Sequence, residues 1–478
     1  MFYKSQLYTP TKIKKKIQIK NFFSGMDGGV DNMLKSLVVP ELSFNFNPFN
    51  GSLKGAEGLS VLKFNGANYS LPNGLTVKQI YFYKRFDNQA KMSDDRLVCF
   101  ASDNYIYQCK LSSKTGKFFK VENGYFEKIP VGICYNYYGS DVLILAYDNN
   151  EISILDSESL TTYKNTPQVS SMCIHKERLF LTSANDANSV WFSGNFNPVD
   201  WVVSLDGAGY ITISDERGKM LKVLSFYDYV YLFREYGITR ISAYGDQTEF
   251  VVDNLSLKHG KIYKNSITMC ENYIVFLASD GIYRFDGLNS TKILNEYDSY
   301  FIGVDNSNCN GIFFDNKLYL SLNMKIENVV ENVILVYDFN NKHSYLLKGL
   351  NVKSFLSVNG EEYYLLAVTN DDKIVRFNNL GTLYDKPLKK VWKSIDTNFG
   401  IESKTKQLYK FTIETDTEIK VIINCDGDNF YYKMNKYDNT LNLDIKGDLF
   451  SITIISEMAK ARIIMPTLYF RYSREIIW

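Results

Sequence analysis

The stretch that decides the fold is ENYIVFLASDGIYRFDG, residues 271–287. Two apolar runs flank a short polar turn, and Asp280-Gly281 is a dipeptide typical of a two-residue type I′ hairpin turn. A single hairpin with two apolar strands cannot bury both of its faces in water. The segment therefore predicts one unit of a larger all-β architecture.

The same phrase, an apolar run, a polar turn and a second apolar run, recurs along the chain. Further copies begin near Asp95, Ser140, Lys176, Tyr227, Asp315 and Gly360. Their mean interval is about 44 residues, within the period of roughly 40–50 residues expected of a four-stranded propeller blade. We therefore predict an all-β fold, a β-propeller of about seven blades, with six as the alternative. Unrelated hairpins in one large β-sandwich are the competing interpretation.

The repeat is missing from both ends of the chain, which predicts three regions. Residues 1–40 form an extended basic N-terminal arm, 41–392 the β-propeller, and 393–478 a small C-terminal β-sandwich. The arm carries seven lysines against two aspartates, and a glycine-rich turn follows at 22–31. In the C-terminal region, alternating apolar runs separated by Asp/Gly turns are typical of a small sandwich.

The candidate contact residues lie in the arm. They are Lys12, Lys14, Lys15, Lys16 and Lys20 with Ile13, Ile17 and Ile19. The alternating isoleucines would form one apolar face, which strand addition to a neighbouring subunit's sheet edge would bury. The lysines could instead line a DNA path and bind phosphates. We favour docking, and expect the arm to become ordered on assembly.

Composition excludes several classes. The 478 residues contain 54 Lys and Arg against 53 Asp and Glu, so no global charge favours nucleic acid or an anionic membrane. Seven scattered cysteines form neither a metal motif nor a disulfide framework, which predicts folding in a reducing compartment. We expect no secretory signal and no membrane span, because long apolar runs are missing from the sequence.

Signatures of catalysis are also missing from the sequence. His175, His259 and His343 do not have metal-binding spacing, and His175 is predicted to be a loop or edge residue. There is no G-x-S-x-G elbow, no sialidase-type aspartate box and no phosphate-binding glycine loop. Asp426-Gly427-Asp428 is interpreted as a hairpin turn rather than a calcium loop. We predict a protein that is not an enzyme and that has no metal and no cofactor, although a glycosidase needs only two carboxylates.

One aromatic segment stands out, SVWFSGNFNPVDW at 189–201. Trp191 and Trp201 flank Asn197-Pro198, a strong turn dipeptide. The tryptophans could offer a sugar-binding platform. We favour a structural turn in which both pack, because a large aromatic side chain prefers a buried site.

The phrase at 176–201, the GIYRFDG at 281–287 and the stretch FNFNPFNGSLKGAEG at 44–58 together resemble tail proteins of tailed bacteriophages. The family is that of the β-propeller tail nozzle (tail tubular protein B), with the related DNA-stabilising head-completion proteins. The resemblance implies a six-fold ring that closes the distal tail lumen, holds DNA inside and later forms its exit. It carries over no catalytic residue.

The sequence thus predicts a structural virion protein, located in the phage tail and made in the bacterial host cytoplasm. Its expected partners are copies of itself in a hexameric ring, the tail tube, the connector or adaptor, the tail fibres and passing double-stranded DNA. The alternative is a receptor-binding or glycan-binding tail propeller. A propeller glycoside hydrolase is the less favoured third interpretation.

Overall fold

The computed structural model describes residues 12–20, 22, 26, 39–88, 90–205, 207–255, 259–360, 362–402 and 404–473. Nearly all regular structure in it is β-strand. The chain divides into two compact units. We call them the sandwich unit (Met1–Ser60, Val333–Leu350 and Asn378–Trp478) and the propeller unit (Val61–Asn332 and Asn351–Phe377).

Short strands and turns precede the repeated sheets. The strands are β1 (Lys12–Gln18), β2 (Pro40–Phe44), β3 (Phe46–Phe49), β4 (Ser52–Gly55), β5 (Gly58–Val61), β6 (Lys63–Phe64) and β7 (Ala67–Asn68). The helical segments in the described ranges are the 3₁₀ turns Pro72–Gly74, Gln247–Glu249, Lys264–Ser266 and Asn295–Tyr297 and the short helix α1 (Asp298–Phe301).

Seven antiparallel sheets then follow one another along the chain. The first contains β8 (Val77–Tyr83), β11 (Arg96–Ala101), β12 (Tyr105–Lys110) and β13 (Phe119–Tyr125), with the small hairpin β9 (Phe86–Asp87) and β10 (Met92–Ser93) inserted after β8. The second contains β14 (Val131–Tyr137), β15 (Ser140–Ala146), β16 (Glu151–Asp156) and β17 (Ser159–Lys164). The third contains β18 (Val169–His175), β19 (Arg178–Ser183), β20 (Ser189–Phe192) and β21 (Gly209–Thr212).

The remaining sheets repeat this plan. The fourth contains β22 (Met220–Phe226), β23 (Tyr229–Arg234), β24 (Ile238–Ser242) and β25 (Val251–Asn254), and the fifth β26 (Thr268–Cys270), β27 (Tyr273–Ala278), β28 (Gly281–Phe285) and β29 (Ser290–Ile293). The sixth runs from β30 (Asn310–Phe314) and β31 (Lys317–Ile326) to β32 (Val329–Asp338) and β33 (His343–Lys348). The seventh begins with β34 (Val352–Asn359), β35 (Tyr363–Thr369) and β36 (Ile374–Asn378). The fold is a β-propeller, and its seven sheets agree with the predicted blade number.

Each repeated phrase forms the second and third strands of a blade. The predicted hairpins at 95–111, 140–156, 227–243, 271–287 and 360–378 are confirmed. These central strands are buried almost throughout, and β11 and β19 are buried at every residue. The first strand of a sheet alternates instead, as β18 does between buried and half-buried residues. The central strands therefore give the clear apolar signal.

Hydrophobic layers lie between consecutive sheets. Phe100 of the first sheet shares a buried cluster with Leu145 of the second, and Phe180 of the third shares one with Leu232 of the fourth. Full burial of one such side chain stabilises the fold by about 1.5–3 kcal/mol. Each sheet therefore depends on the next for the burial of its faces.

The seventh sheet closes the ring against the first. β34 lies beside β8, and the two sheets share one hydrophobic cluster. Leu62 N–H donates to Ile374 O (3.1 Å), and Val77 N–H donates to Asp372 O (3.2 Å). The chain that precedes the first sheet thus bonds to the seventh, so the ends of the sheet series are joined by hydrogen bonds as well as by apolar contact.

The turn of the 271–287 hairpin lies one residue earlier than predicted. Ala278 pairs with Gly281, so Ser279 and Asp280 form the exposed two-residue turn. The positive φ, +145°, belongs to Gly281, the buried first residue of β28. The predicted type I′ turn at Asp280-Gly281 is therefore wrong. The Asp280 carboxylate accepts a hydrogen bond from the Tyr283 hydroxyl (2.6 Å), which holds this register.

The sandwich unit contains two complete sheets and some further strands. Its later strands are β37 (Thr382–Leu383), β38 (Lys386–Pro387), β39 (Lys390–Ser394), β40 (Lys406–Thr415), β41 (Ile419–Cys425), β42 (Asp428–Met434), β43 (Thr440–Gly447), β44 (Phe450–Ser456) and β45 (Arg462–Ser473). β37 and β38 pair with each other and belong to neither of the two complete sheets. One sheet, here the β45 sheet, has the order β3-β4-β45-β40-β43, with β1 also on β45. The other, the β44 sheet, has the order β2-β39-β44-β41-β42. Their inner faces enclose one core.

The basic arm supplies a strand to this sandwich. β1 pairs antiparallel with β45, and Ile17 and Ile19 pack in or against the core. The ring of Phe22 meets Trp392 edge to face, with 5.4 Å between centroids. The predicted one-sided strand exists, but its partner is β45 of the same chain rather than a neighbouring subunit. Apart from Phe22 and Met26, the predicted turn at 22–31 lies outside the described residues.

The two units do not coincide with the predicted boundaries at residues 40 and 392. β1 to β4 and β39 all belong to the sandwich. Residues 393–478 supply only β40 to β45, and Trp392 pairs with Ile454 on one side and Ser43 on the other. The C-terminal region therefore does not make the sandwich core alone.

We predict that Ile19→Ala lowers the free energy of unfolding by about 2–5 kcal/mol, because it leaves a cavity in the sandwich core. Ile19 is 3% exposed. Lys16→Gln is the control, because Lys16 lies on β1 next to Ile17 but its side chain is exposed. This variant should change the free energy of unfolding by less than about 0.5 kcal/mol. Urea unfolding of the full chain measures both. Equal midpoints for the two variants would show that the arm does not contribute to the core.

Candidate functional site

A cavity of about 720 Å³ lies in the propeller unit, where β8, β14, β18 and β34 end. These are the first strands of their sheets, and the first strands of several neighbouring blades lie side by side. The charged residues that line the cavity are Lys84, Arg85, Asp95, Asp141, Lys176 and Glu177. Its volume is within the range of about 300–1,000 Å³ usual for ligand pockets.

Two of the cavity carboxylates are held by the backbone. Asp95 accepts a hydrogen bond from the Arg85 N–H (2.9 Å), and Asp141 accepts one from the Phe86 N–H (3.0 Å). Asp141 also accepts one from the Asn136 amide (3.0 Å). These bonds fix the segment that follows β8. Both carboxylates thus help to hold the local backbone in place.

The cavity also contains a thiol, Cys134. Burial raises the pKa of Cys134, and its Sγ donates to Phe82 O (3.2 Å). Only a thiolate is an effective nucleophile or metal ligand. Cys134 therefore remains a thiol at neutral pH.

A serine–histidine pair lies beside the cavity, and sequence reasoning missed it. His175 Nδ1 and Ser225 Oγ are 2.9 Å apart. His175 is 3% exposed, and its Nε2 has no hydrogen-bond partner among the described residues. Among the described residues no carboxylate is hydrogen-bonded to the ring, so the pair lacks the third member of a catalytic triad. His175, expected in a loop or at an edge, is the buried last residue of β18.

Lysines bridge the inner strands of the blades. Lys222 Nζ donates to Ile267 O (2.7 Å), and Lys264 Nζ donates to the carbonyl and hydroxyl oxygens of Ser170 (2.8 Å each). Burial and the charge of Lys264 lower the pKa of Lys222 to about 8. Lys353 Nζ donates to Val77 O (3.3 Å) between the seventh and first sheets. Lys222 and Lys353 connect neighbouring blades, whereas Lys264 connects the fifth blade to the third. The apolar-run pattern that predicts strands gives no sign of these amines.

The aromatic segment at 189–201 opens a long loop after β20. Trp201 is largely buried, and its Nε1 donates to Pro198 O (3.1 Å). Trp191 is half-buried on β20, with its ring 4.7 Å from that of Tyr210. The Asn197 side-chain oxygen accepts the Val199 N–H (3.3 Å). The four motif residues, Trp191, Asn197, Pro198 and Trp201, thus lie in one blade, with Trp201 packed onto its own turn.

Arg178 closes this loop, which we call the apolar loop (residues 193–207). Its Nη1 donates to Ser193 O (2.9 Å) and Gly207 O (2.6 Å), the first and last residues of the loop. The loop nevertheless exposes large apolar side chains. They are Phe196, Val202, Val203 and Leu205. Arg178 belongs to the repeated phrase, but its role follows only from the fold.

The predicted contact lysines lie in the sandwich unit. Lys12, Lys14 and Lys16 alternate with Ile13, Lys15 and Ile17 along β1 and are exposed. Lys15 faces the other side of the strand, with Nζ 5.6 Å from the Tyr472 ring centre. Lys20 is exposed just after the strand, and Ile19 is buried. No contact with another chain tests their predicted docking role.

In the described part of the chain, no cluster of three or more His, Cys, Asp or Glu side chains could hold a metal ion. The same residues contain no helix that is long and apolar enough to cross a membrane.

Neither a protein-family model nor a curated protein matches the chain. Solved structures are similar to it at 10% identity. BBS1N, solved in complex with ARL6DN, covers 67% of this chain and 96% of its own at a TM-score of 0.43. BamB from Moraxella catarrhalis covers 70% and 94% at 0.39, and the extracellular domain of a putative one-component system from B. thetaiotaomicron covers 89% and 62% at 0.42. Likenesses at these scores support no function.

We predict that stability falls as the pH decreases from 7 to 5.5. Burial lowers the pKa of His175 and also that of His259, so the unfolded chain takes up protons first as the pH falls through about 6.5. Replacing His175 by Gln should flatten this pH dependence, and adding His259→Gln should flatten it further. Urea midpoints at four pH values measure the slope. An unchanged slope in the double variant would contradict the assignment.

We predict that Arg178→Ala loosens the apolar loop. The loss of charge-assisted hydrogen bonds to two carbonyl groups costs about 1.5–3 kcal/mol each, so chymotrypsin should cut after Phe196 and Leu205 faster than in the unchanged protein. Limited proteolysis with mass spectrometry detects the sites. Arg240→Ala, which breaks the ion pair with Asp253 in the next blade (2.8 Å), is the control. Equal cleavage in both variants would mean that Arg178 does not hold the loop.

Proposed function

We propose that the chain is a structural protein of a tailed-bacteriophage virion, a nozzle or adaptor ring that closes the tail lumen, retains the DNA and forms its exit conduit. The tail assignment is supported by the resemblance of residues 176–201 and 279–287 to the tail nozzle family. The structural role is supported by the apolar loop, which begins within the first of these motifs and continues beyond it.

The apolar loop is the observation that carries the proposal. Val202 is 76% exposed and Leu205 is 73% exposed, although the loop is closed by Arg178 and packed by Trp201. Clustered apolar side chains in water are typical of surfaces that bind another protein. Because the loop is already held in shape, binding there costs little ordering entropy. We therefore assign the loop to contact between proteins of the tail.

The partners follow from this role. The resemblance implies a six-fold ring, and heterologous interfaces close into rings when the rotation permits. We propose that copies of the chain form this homo-oligomer and that it meets the tail tube, the connector and the tail fibres. The protein would be made in the bacterial host cytoplasm and function in the virion, where double-stranded DNA passes transiently.

A second candidate is a glycan-binding tail propeller. It is favoured by the ring pair of Trp191 and Tyr210, whose planes lie 31° apart, and by the 52% exposure of Tyr210. Exposed aromatic rings can pack against the apolar face of a sugar. Binding of the purified chain to a glycan array, abolished by Tyr210→Ala, would favour this candidate over the ring.

We predict that the double variant Val202→Asp and Leu205→Asp keeps the melting temperature of the monomer, because both side chains are exposed, but is not incorporated into particles. Complementation of a phage that lacks the gene, followed by mass spectrometry and electron microscopy of the particles, measures incorporation and symmetry. Val330→Asp, at an exposed site before Asn332 in the sixth sheet, is the control. The proposal would be contradicted if the phage that lacks the gene still formed normal particles. It would also be contradicted if the double variant were incorporated as well as the unchanged protein.

A further inference from the structure

The outer face of the β45 sheet is basic. Lys14 lies directly opposite Arg471, Arg471 opposite Gln407, and Gln407 opposite Lys446. Side chains of directly opposed residues share one face of a sheet. The neighbours Leu408 and Phe470 point into the core, so this row points outward. On the part of this outer face formed by β1, β40, β43 and residues 467–473 of β45, the cations are Lys12, Lys14, Lys16, Arg471, Lys410 and Lys446.

None of these six cations makes an ion pair with any described residue. Two carboxylates share the face. Asp444 accepts a hydrogen bond from the Gln407 amide, and Glu414 lies toward the other end of β40. The Gln407 side-chain oxygen accepts a hydrogen bond from Arg471 Nε (2.8 Å). The face thus carries a clear excess of positive charge.

The outer face of the β44 sheet differs. Each of its lysines has a carboxylate partner. The pairs are Lys393 with Glu41 (2.9 Å), Lys420 with Glu457 (2.9 Å) and Lys433 with Glu418 (2.8 Å). The two faces belong to one sandwich and to one nearly neutral chain. Unpaired positive charge is therefore a property of the β45 sheet and not of the unit as a whole.

This arrangement has a cost to stability. Like charges directly opposite each other on neighbouring strands are destabilising, and Lys14 faces Arg471 in this way. Lysines on an edge strand prevent it from pairing with other chains. This accounts for the lysines on β1, which is an edge strand. That explanation does not extend to Arg471 and Lys410, because β45 and β40 are interior strands of the sheet. The interior cations indicate a ligand of negative charge.

We infer that this face binds the phosphate backbone of double-stranded DNA. Side chains two residues apart on a strand are separated by about 6.8 Å, and the phosphates of one DNA strand advance 3.4 Å per residue along the axis. Lys12, Lys14 and Lys16 thus form a regular row of positive charge whose spacing is comparable to the charge spacing of a nucleic-acid backbone. The face presents amines and a guanidinium group from four strands, so its cations extend across the sheet as well as along one strand.

The aromatic residues on the same face favour a duplex over unpaired bases. The Arg471 guanidinium lies 5.9 Å from the Tyr409 ring centre, and Lys410 Nζ lies 5.3 Å from that of Tyr469. Both rings are therefore covered by cations and do not offer a free platform for base stacking. Binding through phosphates alone is independent of sequence.

The inference rests on the proposed function only in its choice of DNA among anionic polymers. Binding is measured on the purified full chain, without particles. A chain that is missing from particles but binds DNA contradicts the virion role alone, and a chain that is incorporated but does not bind DNA contradicts this inference alone.

The test is fluorescence anisotropy of a labelled 20-base-pair duplex with the purified full chain between 50 and 200 mM salt. The slope of log K, where K is the association constant, against log salt concentration becomes less steep by about 0.9 for each phosphate contact removed. The triple variant K12Q/K14Q/K16Q should therefore have a slope less steep by about 2.7. The double variant K410Q/K446Q, which leaves β1 untouched, should be less steep by about 1.8. The double variant therefore still tests the inference if the triple variant disturbs the folding of the arm.

Two single variants are the controls. K15Q changes the same strand on its other side, and K420Q changes a paired lysine on the β44 sheet; both should keep the slope and the affinity of the unchanged protein. The inference is overturned if the triple and double variants keep the original slope, or if the controls reduce it equally. Polyglutamate that competes as well as duplex DNA at equal charge would also overturn it, by showing a general anion surface.

Discussion

Strands that are apolar on both faces impose the main constraint on this protein. β11 and β19 are buried at every residue, so each needs a sheet packed on either side. A row of such sheets leaves its first and last members with one uncovered face. A ring covers both of these faces, because the first and last sheets then pack against each other. Here β34 lies against β8, and the chain before the first sheet bonds to the seventh. Closure of the ring is therefore a requirement of burial.

The same constraint decides where binding can occur. Polar groups near the inner strands are used to hold the ring. Asp95 and Asp141 accept backbone N–H groups, and Lys222 and Lys264 bond to carbonyl groups of other blades. Two exposed surfaces remain: the apolar loop, whose large apolar side chains are in water, and the outer face of the β45 sheet, whose cations have no ion-pair partner among the described residues. Each is held in place by rigid secondary structure.

The sequence was sufficient for the central strands and insufficient for what surrounds them. Hairpins such as 95–111 and 140–156 could be located because both of their strands are continuous apolar runs. The first strands alternate and resemble many other amphipathic segments, as β18 does. The turn at 279–280 was misplaced because the Asp280 carboxylate and a glycine inside β28 decide its register. The register thus depends on specific contacts of these two residues, which the pattern of apolar and polar residues does not reveal.

Long-range pairing limited the rest in the same way. The alternating isoleucines of β1 correctly indicated a one-sided strand, but its partner is separated from it by nearly the whole chain. The division at residue 392 followed the end of the repeat, whereas Trp392 belongs to the sandwich core. For the candidate sites, Trp191 and Trp201 stood out by their type. Arg178 and the Ser225–His175 pair acquire meaning only when separate strands are brought together.

The pairing of β1 with β45 has a consequence for synthesis. A ribosome delivers β1 early and β45 late, so Ile17 and Ile19 have no core to enter while the seven sheets are being made. Loop closure over such a distance is slow relative to local hairpin formation. The nascent chain must therefore keep an apolar strand in water for most of its translation. The lysines that separate the isoleucines keep this waiting segment soluble until its partner emerges.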